Sequence, residues 1–247
     1  MNPGPASPQQ DPAAASDDTD AAAASRRPRR GPSWLLLAGI ALLVMMLVRG
    51  FLVQSFYVPS GSMEPTIQPG DRILVNKLIS GESLRRGDVV VFDGTTTFAA
   101  ADRTAYQSKG VSGRVLAGVA SLVGLDLGEQ DFVKRVVGLS GDHVVCCDQQ
   151  GRISVNGTPV AEPYLQPGDQ PSELSFDITV PAGRLWVMGD HRSDSADSRA
   201  HLGDPGGGTV ALDDVVGRAS ATYWPLSRLG GFDTPLALAD IPRVATK

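Results

Sequence analysis

The hydrophobic pattern divides the chain near residue 54. Residues 1–25 carry eight Ala and four Pro and, after Met1, no large aliphatic or aromatic side chain. Such a segment buries too little surface to offset its ordering entropy, so residues 1–32 are expected to form a disordered tail. From Trp34 to Val48 every position is apolar or glycine, and after Arg49-Gly50 the run resumes in Phe51-Leu52-Val53. A helix over the first part of the run rises only ~22 Å, short of a hydrocarbon core of ~30 Å. Carried on to Val53 it becomes long enough, with Arg49 snorkelling to the far headgroups. Residues 33–53 are therefore predicted to be a single transmembrane anchor.

Beyond the anchor the pattern changes to short β-branched blocks separated by turn residues. Gln68-Pro69-Gly70-Asp71 reads as a turn into the strand Arg72–Asn76, and Arg86-Gly87-Asp88 as a turn into the buried strand Val89–Phe92. Further strand material lies in Phe132–Gly138, Val144–Val155, Leu174–Val180, Leu185–Met188 and Val215–Trp224, with turns at Asn156-Gly157 and Pro167-Gly168. Residues 94–110 are small and polar. Between Val111 and Leu127, Val115, Leu116, Val119, Leu122 and Val123 fall at helical spacing, weakened by Gly113, Gly118 and Gly124. Residues 94–127 thus read as a loop and helical insertion that packs on the domain or lies at the membrane surface. The predicted fold is mostly β: one domain over residues 54–227, tethered by a single N-terminal helix and followed by a C-terminal tail, 228–247.

Composition and charge add orientation. With 247 residues, 42% of them hydrophobic, the chain can bury the core of one domain. The net charge of −5 argues against nucleic acid as the main partner, which wants a basic face. Residues 1–33 hold four Asp and four Arg, so the −5 belongs to the rest. All four arginines (Arg26, Arg27, Arg29, Arg30) directly precede the apolar run, which places the N-terminus in the cytoplasm and everything after residue 53 outside. A cleaved secretory signal shares this outline, but Gln54-Ser55-Phe56 is a poor substitute for an Ala-x-Ala site, so an uncleaved anchor is the reading adopted. The two cysteines, Cys146 and Cys147, are neighbours without zinc-site spacing, and read as two partly buried thiols or a local disulfide. No metal or cofactor is expected.

Chemistry concentrates in Val58-Pro59-Ser60-Gly61-Ser62-Met63-Glu64-Pro65-Thr66, where two hydroxyls and a glycine stand between prolines. Proline fixes φ and glycine frees it, so a stiff, turned loop is expected. Serine attacks only when a base takes its proton. His143, His191 and His201 invite that role, although Asp190-His191-Arg192 reads as a polar turn. Lys134 is different in kind. In Phe132-Val133-Lys134-Arg135-Val136-Val137, strand alternation puts Lys134 and Arg135 on opposite faces, so one of the two cations faces whatever the strand packs on. Moving a lysine from ~10.4 to near 7 costs about 4–5 kcal/mol of differential solvation. The residues alone leave two options open: a surface lysine snorkelling to water, and a buried neutral base.

Four segments together carry a resemblance. They are Pro59-Ser60-Gly61-Ser62-Met63-x-Pro65-Thr66; Arg86-Gly87-Asp88-Val89-Val90-Val91-Phe92; Lys134-Arg135-Val136-Val137-Gly138-Leu139-x-Gly141-Asp142; and Gly189-Asp190-x-Arg192-x-x-Ser195-x-Asp197-Ser198-Arg199. In this order, after an N-terminal anchor, they resemble the boxes of bacterial signal peptidase I over about residues 33–225. The resemblance implies that Ser62 is the nucleophile and Lys134 the general base. It implies an oxyanion hole of the Ser60 hydroxyl and the Ser62 amide, with Ser195 orienting the base and Asp197 and Arg199 forming a supporting ion pair. It places Val58, Met63, Ile67, Phe132 and Val133 along shallow pockets for small side chains.

The implied partners are secretory preproteins, cleaved after an Ala-x-Ala-like segment at the membrane lipid surface, with no nucleic acid and no metal. Two departures stand out. Ser140 replaces a frequent Pro, and His191-Arg192-Ser193-Asp194-Ser195 stands where the family often reads Asn-Arg-Asp-Asn-Ser. Self-cleaving stress-response repressors share a serine–lysine dyad but lack an anchor. The eukaryotic and archaeal branch uses histidine where Lys134 stands. A tethered β domain that binds extended peptides without cleaving them is the non-enzymatic alternative.

Overall fold

The structure, a computed structural model, describes residues 33–47, 52–95, 97–98 and 131–243. The expected tail over 1–32 and the helical part of the 94–127 insertion lie outside these residues. Helix α1 runs from Trp34 to Leu47. It offers no polar face, and Trp34, Leu35, Leu36, Leu37, Leu42 and Met45 are all more than half exposed. Its 14 residues rise ~21 Å, and among the described residues no helix is long and apolar enough to cross a membrane. The expected continuation to Val53 is corrected at its far end. Val53 opens a strand, β1 (Val53–Tyr57), paired with Asn76 of β2 (Arg72–Asn76). A β-branched residue beside an available partner strand is better placed in a sheet than at a helix end.

The remaining strands are β3 (Val89–Asp93), β4 (Asp131–Gly138), β5 (His143–Cys146), β6 (Ile153–Val155), β7 (Thr158–Pro159), β8 (Phe176–Thr179), β9 (Arg184–Met188), β10 (Val210–Ala211), β11 (Val215–Trp224) and β12 (Gly230–Gly231). Every pairing is antiparallel. One sheet has the order β1-β2-β11-β3-β4-β9-β10, with β12 added alongside β11, and a smaller one has the order β7-β6-β5-β8. The Asn156-Gly157 turn joins β6 to β7 with both residues at positive φ, as a tight hairpin demands. Register shifts in β11, between Ala219 and Ala221 and again between Thr222 and Trp224, bend that strand where it passes from β3 to β2. Cys146 and Cys147 are joined to each other, the local disulfide of the two readings.

The tail expected over 228–247 is instead part of the domain as far as Arg243, whose guanidinium donates to the Glu82 and Leu84 carbonyl oxygens. Arg228 pairs with Asp71 at 2.9 Å. A short helix, α2 (Leu236–Ala239), carries Leu238 into the core beside Trp186 and Met188, and Ile241 follows it. Arg86 clasps this end: it binds Asp142 through two 2.6 Å hydrogen bonds and donates to the carbonyl oxygens of Ile241 and Pro242. Gly87 next to it sits at φ +87, and a Cβ there would come within 2.9 Å of both Thr234 and Pro235. Gly230-Gly231, Pro235 and Pro242 interrupt the apolar residues of this segment, so its sequence pattern is weak.

Candidate active site

The loop between β1 and β2 is closed by backbone hydrogen bonds from Val58 N–H to the Asp71 carbonyl and from Gly70 N–H to the Val58 carbonyl. Val58, Met63 and Ile67 are buried beneath it, in one cluster with Phe56, Ile73, Val75 and Val91. These three plugs fix a loop that would otherwise be polar and mobile. Ser62 is left half-buried at its crest, and Ser60 is exposed with its Oγ 3.4 Å from Ser62 Oγ. Gly61 is not in the left-handed region, so its conformational freedom is not what the loop uses. A Cβ there would meet the Glu64 carboxylate at 3.4 Å.

Lys134 reaches this crest from β4. Its Nζ lies 2.8 Å from Ser62 Oγ and 3.0 Å from the Val133 carbonyl oxygen. The lysine is 3% exposed, and burial pulls its pKa from the usual 10.5 down to about 8, against the opposing pull of Asp197, Asp190 and Asp194. Of the two options left open by the sequence, burial is the one observed.

The other cation is buried as well, so both faces of β4 are covered. Arg135, 2% exposed, binds Asp190 Oδ1 through Nε at 2.8 Å and Oδ2 through Nη2 at 2.5 Å. It also donates to the Gly87 carbonyl oxygen and stacks over Tyr164 at 4.3 Å. Burial works against its charge, but Asp190 outweighs it and raises the guanidinium pKa. Thr66, from the Ser62 loop, donates to the same Asp190 carboxylate at 2.5 Å. One buried carboxylate therefore ties the base-bearing strand to the nucleophile-bearing loop.

The segment after β9 forms the far wall. Asp197 and Arg199 pair at 2.8 Å. Burial would raise the Asp197 carboxyl, but Arg199 and the Gly189 N–H hold it below the ordinary carboxylate range. Ser195 is not hydrogen-bonded to Lys134. Its buried Oγ faces the Asp197 carboxylate, which it helps to hold ionised, and is packed so closely on Gly189 that a Cβ at that glycine would lie 2.2 Å from it. The five residues expected along substrate pockets divide: Val58, Met63 and Ile67 are core, whereas Phe132 and Val133 are half-buried. The first three are packed beneath the Ser62 loop.

Of the histidines, exposed His143 binds Asp177, and His201 binds Asp204 and stacks on Phe98. His191 comes nearest to Ser62, but its ring meets the Gly61 carbonyl oxygen at 3.3 Å, and no hydrogen bond joins it to Ser62 Oγ. Sequence reasoning took it for a polar turn and missed this contact, as it missed Thr66 and Asp190. The signal available was their place within the same sequence segments as Ser62 and Ser195.

Across all described residues, His, Cys, Asp and Glu side chains nowhere gather as metal ligands. A serine hydroxyl held at 2.8 Å from a desolvated amine can do acyl-transfer chemistry without one. The family model described as "Signal peptidase, peptidase S26" matches residues 32–224. The chain belongs to the signal peptidase family, peptidase S26.

Membership makes it a serine endopeptidase of the signal peptidase I type, the type that removes signal peptides. It is 39% identical to a probable signal peptidase I of Mycobacterium leprae (strain TN), over 82% of this chain and 80% of that one. It is 38% identical to signal peptidase I of Mycobacterium tuberculosis (strain ATCC 25618 / H37Rv), over 78% and 72%. It is 32% identical to signal peptidase I T of Bacillus subtilis (strain 168), over 77% and 83%. A solved signal peptidase I of Enterococcus faecalis V583 is 22% identical, covers 56% of this chain and 98% of its own, and superposes with a TM-score of 0.35, too low to argue from.

Proposed function

We propose that this chain is a membrane-anchored peptidase that cleaves signal peptides from secretory preproteins with a Ser62–Lys134 dyad. The observation that carries the reading is the 2.8 Å approach of Lys134 Nζ to Ser62 Oγ, made by an amine whose pKa burial has brought to about 8. A base this close to neutrality is uncharged in a useful fraction of molecules. Neutral Lys134 takes the Ser62 hydroxyl proton as Oγ adds to the scissile carbonyl carbon. The oxyanion so formed is stabilised by the Ser62 N–H and the Ser60 hydroxyl, a type of contact worth ~3–4 kcal/mol. Lys134 then passes its proton to the departing amine as the C–N bond breaks. Water, deprotonated by the same lysine, hydrolyses the remaining ester and frees Ser62.

The substrate is an extended segment ending in small side chains, of Ala-x-Ala type, bound by strand addition at the site. Anchoring rests on the apolar helix α1 and the four arginines before it, which orient the N-terminus to the cytoplasm and the β domain to the outer face. Ser62 follows Leu47, the end of α1, by fifteen residues, a short tether between the apolar helix and the site. The test is incubation of the purified full chain with a signal-bearing precursor, followed by N-terminal sequencing of the product. Cleavage after a small residue, lost in Ser62→Ala and Lys134→Ala while both variants stay folded, is the expected result. Cleavage by Ser62→Ala would overturn the assignment.

A further inference from the structure

His191 stands outside the dyad, yet it is bonded to the backbone on both sides of Ser62. Its own N–H donates to the Ser62 carbonyl oxygen at 3.2 Å, and its ring Nδ1 lies 3.3 Å from the Gly61 carbonyl oxygen. A carbonyl only accepts, so this contact places the proton on Nδ1. The nearest carboxylate, Glu64, is 3.8 Å from Nδ1, beyond hydrogen-bond distance. The Gly61 oxygen has one other partner among the described residues, the Glu64 N–H at 2.9 Å. That bond lies within the loop and cannot fasten the loop to anything else. His191 is itself fixed, because Asp190 before it is held by Arg135 and Thr66.

The carbonyl of Gly61 and the amide of Ser62 belong to one planar peptide unit, and this unit is trans. In a trans unit the C=O and N–H point in opposite directions, so whatever holds the oxygen also aims the hydrogen. We infer that His191 is a positioning residue for the oxyanion hole: its ring N–H pins the Gly61 carbonyl and thereby aims the Ser62 N–H at the developing oxyanion. The inference rests on the assignment of Ser62 as nucleophile and of its amide as oxyanion donor. Asparagine is the conservative replacement for this task, because its side-chain amide can supply an N–H donor of similar reach.

The test uses the purified full chain, a peptide spanning an Ala-x-Ala cleavage site, and a peptide aldehyde whose hemiacetal oxygen enters the hole. H191F and H191L fill the space without a donor, and H191N restores one; thermal melts establish that each variant is folded. The donor-free variants are expected to lose about tenfold in kcat with KM within about twofold, since a misaimed donor costs less than the ~10²–10³ of a deleted one. Their affinity for the aldehyde falls by the same factor as kcat, and H191N stays within about threefold of the parent protein on both measures. Full kcat in H191F and H191L, a rise in KM in place of the fall in kcat, or an H191N as slow as H191F would each overturn the inference. Ser62→Ala separates the two levels. If it cleaves, the nucleophile assignment fails; if it is inert while the donor-free variants run at full rate, only the role of His191 fails.

Discussion

Replacing Lys134 by methionine tests the electrostatic state of the site without reference to any substrate. Methionine has similar length and no charge, so it fills the same buried space. The fall of the Lys134 pKa from 10.5 to about 8 is equivalent to a penalty of about 3 kcal/mol for holding the ammonium in the folded protein. The sign follows from proton counts. Below pH 8 the lysine is charged both folded and unfolded, and the whole penalty is present. Between pH 8 and 10.5 the folded form has released its proton while the unfolded form retains it, so the wild-type chain gains stability as pH rises. Above 10.5 the penalty is gone.

Methionine also removes the hydrogen bonds to the Val133 carbonyl oxygen and to Ser62 Oγ, a loss of about 1–2 kcal/mol. Lys134→Met is therefore expected to be more stable than wild type by about 1–2 kcal/mol at pH 7. That advantage shrinks by about 2–3 kcal/mol between pH 7 and 10 and reverses sign at the alkaline end. Denaturant titrations of both proteins in detergent, at steps of one pH unit, measure it. A stability difference that stays constant from pH 7 to 10, or grows with pH, would refute the claim that Lys134 is desolvated.

Two further predictions concern packing around the site and at the end of the chain. Gly189→Ala sets a methyl group 2.5 Å from the Ser62 carbonyl oxygen and 2.2 Å from Ser195 Oγ. The nucleophile loop must shift, and kcat for peptide cleavage should fall about 10²-fold or more; an alanine variant at full activity would contradict the observed packing. Leu238→Ala removes a fully buried side chain beside Trp186 and should cost about 2–5 kcal/mol in a denaturant titration. A cost below about 0.5 kcal/mol would return residues 228–247 to the status of a tail.

What could be read from the sequence was whatever local composition determines. β2 begins and ends at the expected residues, Arg72 and Asn76, and β3 and β4 extend the expected blocks by one residue each, because β-branched runs bounded by turns are strong local signals. The neighbourhood of Ser62 and Lys134 was legible through box order, although 72 residues separate them. What stayed hidden depends on partners remote in sequence. Arg135 lies 55 residues from Asp190, and Arg86 lies 56 from Asp142. No periodicity tells which of two adjacent cations will find a buried carboxylate, and here both faces of the strand turned out to be covered. Likewise β12 is two glycines, a composition that argues against a strand until β11 supplies its partner. Val58, Met63 and Ile67 were placed along pockets by the resemblance alone, and local pattern did not show that they also plug the Ser62 loop onto the core. His191 was set aside for want of a reason to prefer it as base, and its position suggests a different task.

The pH dependence of kcat/KM for a peptide substrate tests the central claim most directly. Only neutral Lys134 can accept the Ser62 proton, so activity is lost as pH falls through the folded pKa of about 8. The account predicts a rate that rises about tenfold per pH unit from pH 6 and levels above about pH 8.5, with no such limb in the residual rate of Lys134→Ala. A profile flat between pH 6 and 9, or an unchanged limb in Lys134→Ala, would contradict it.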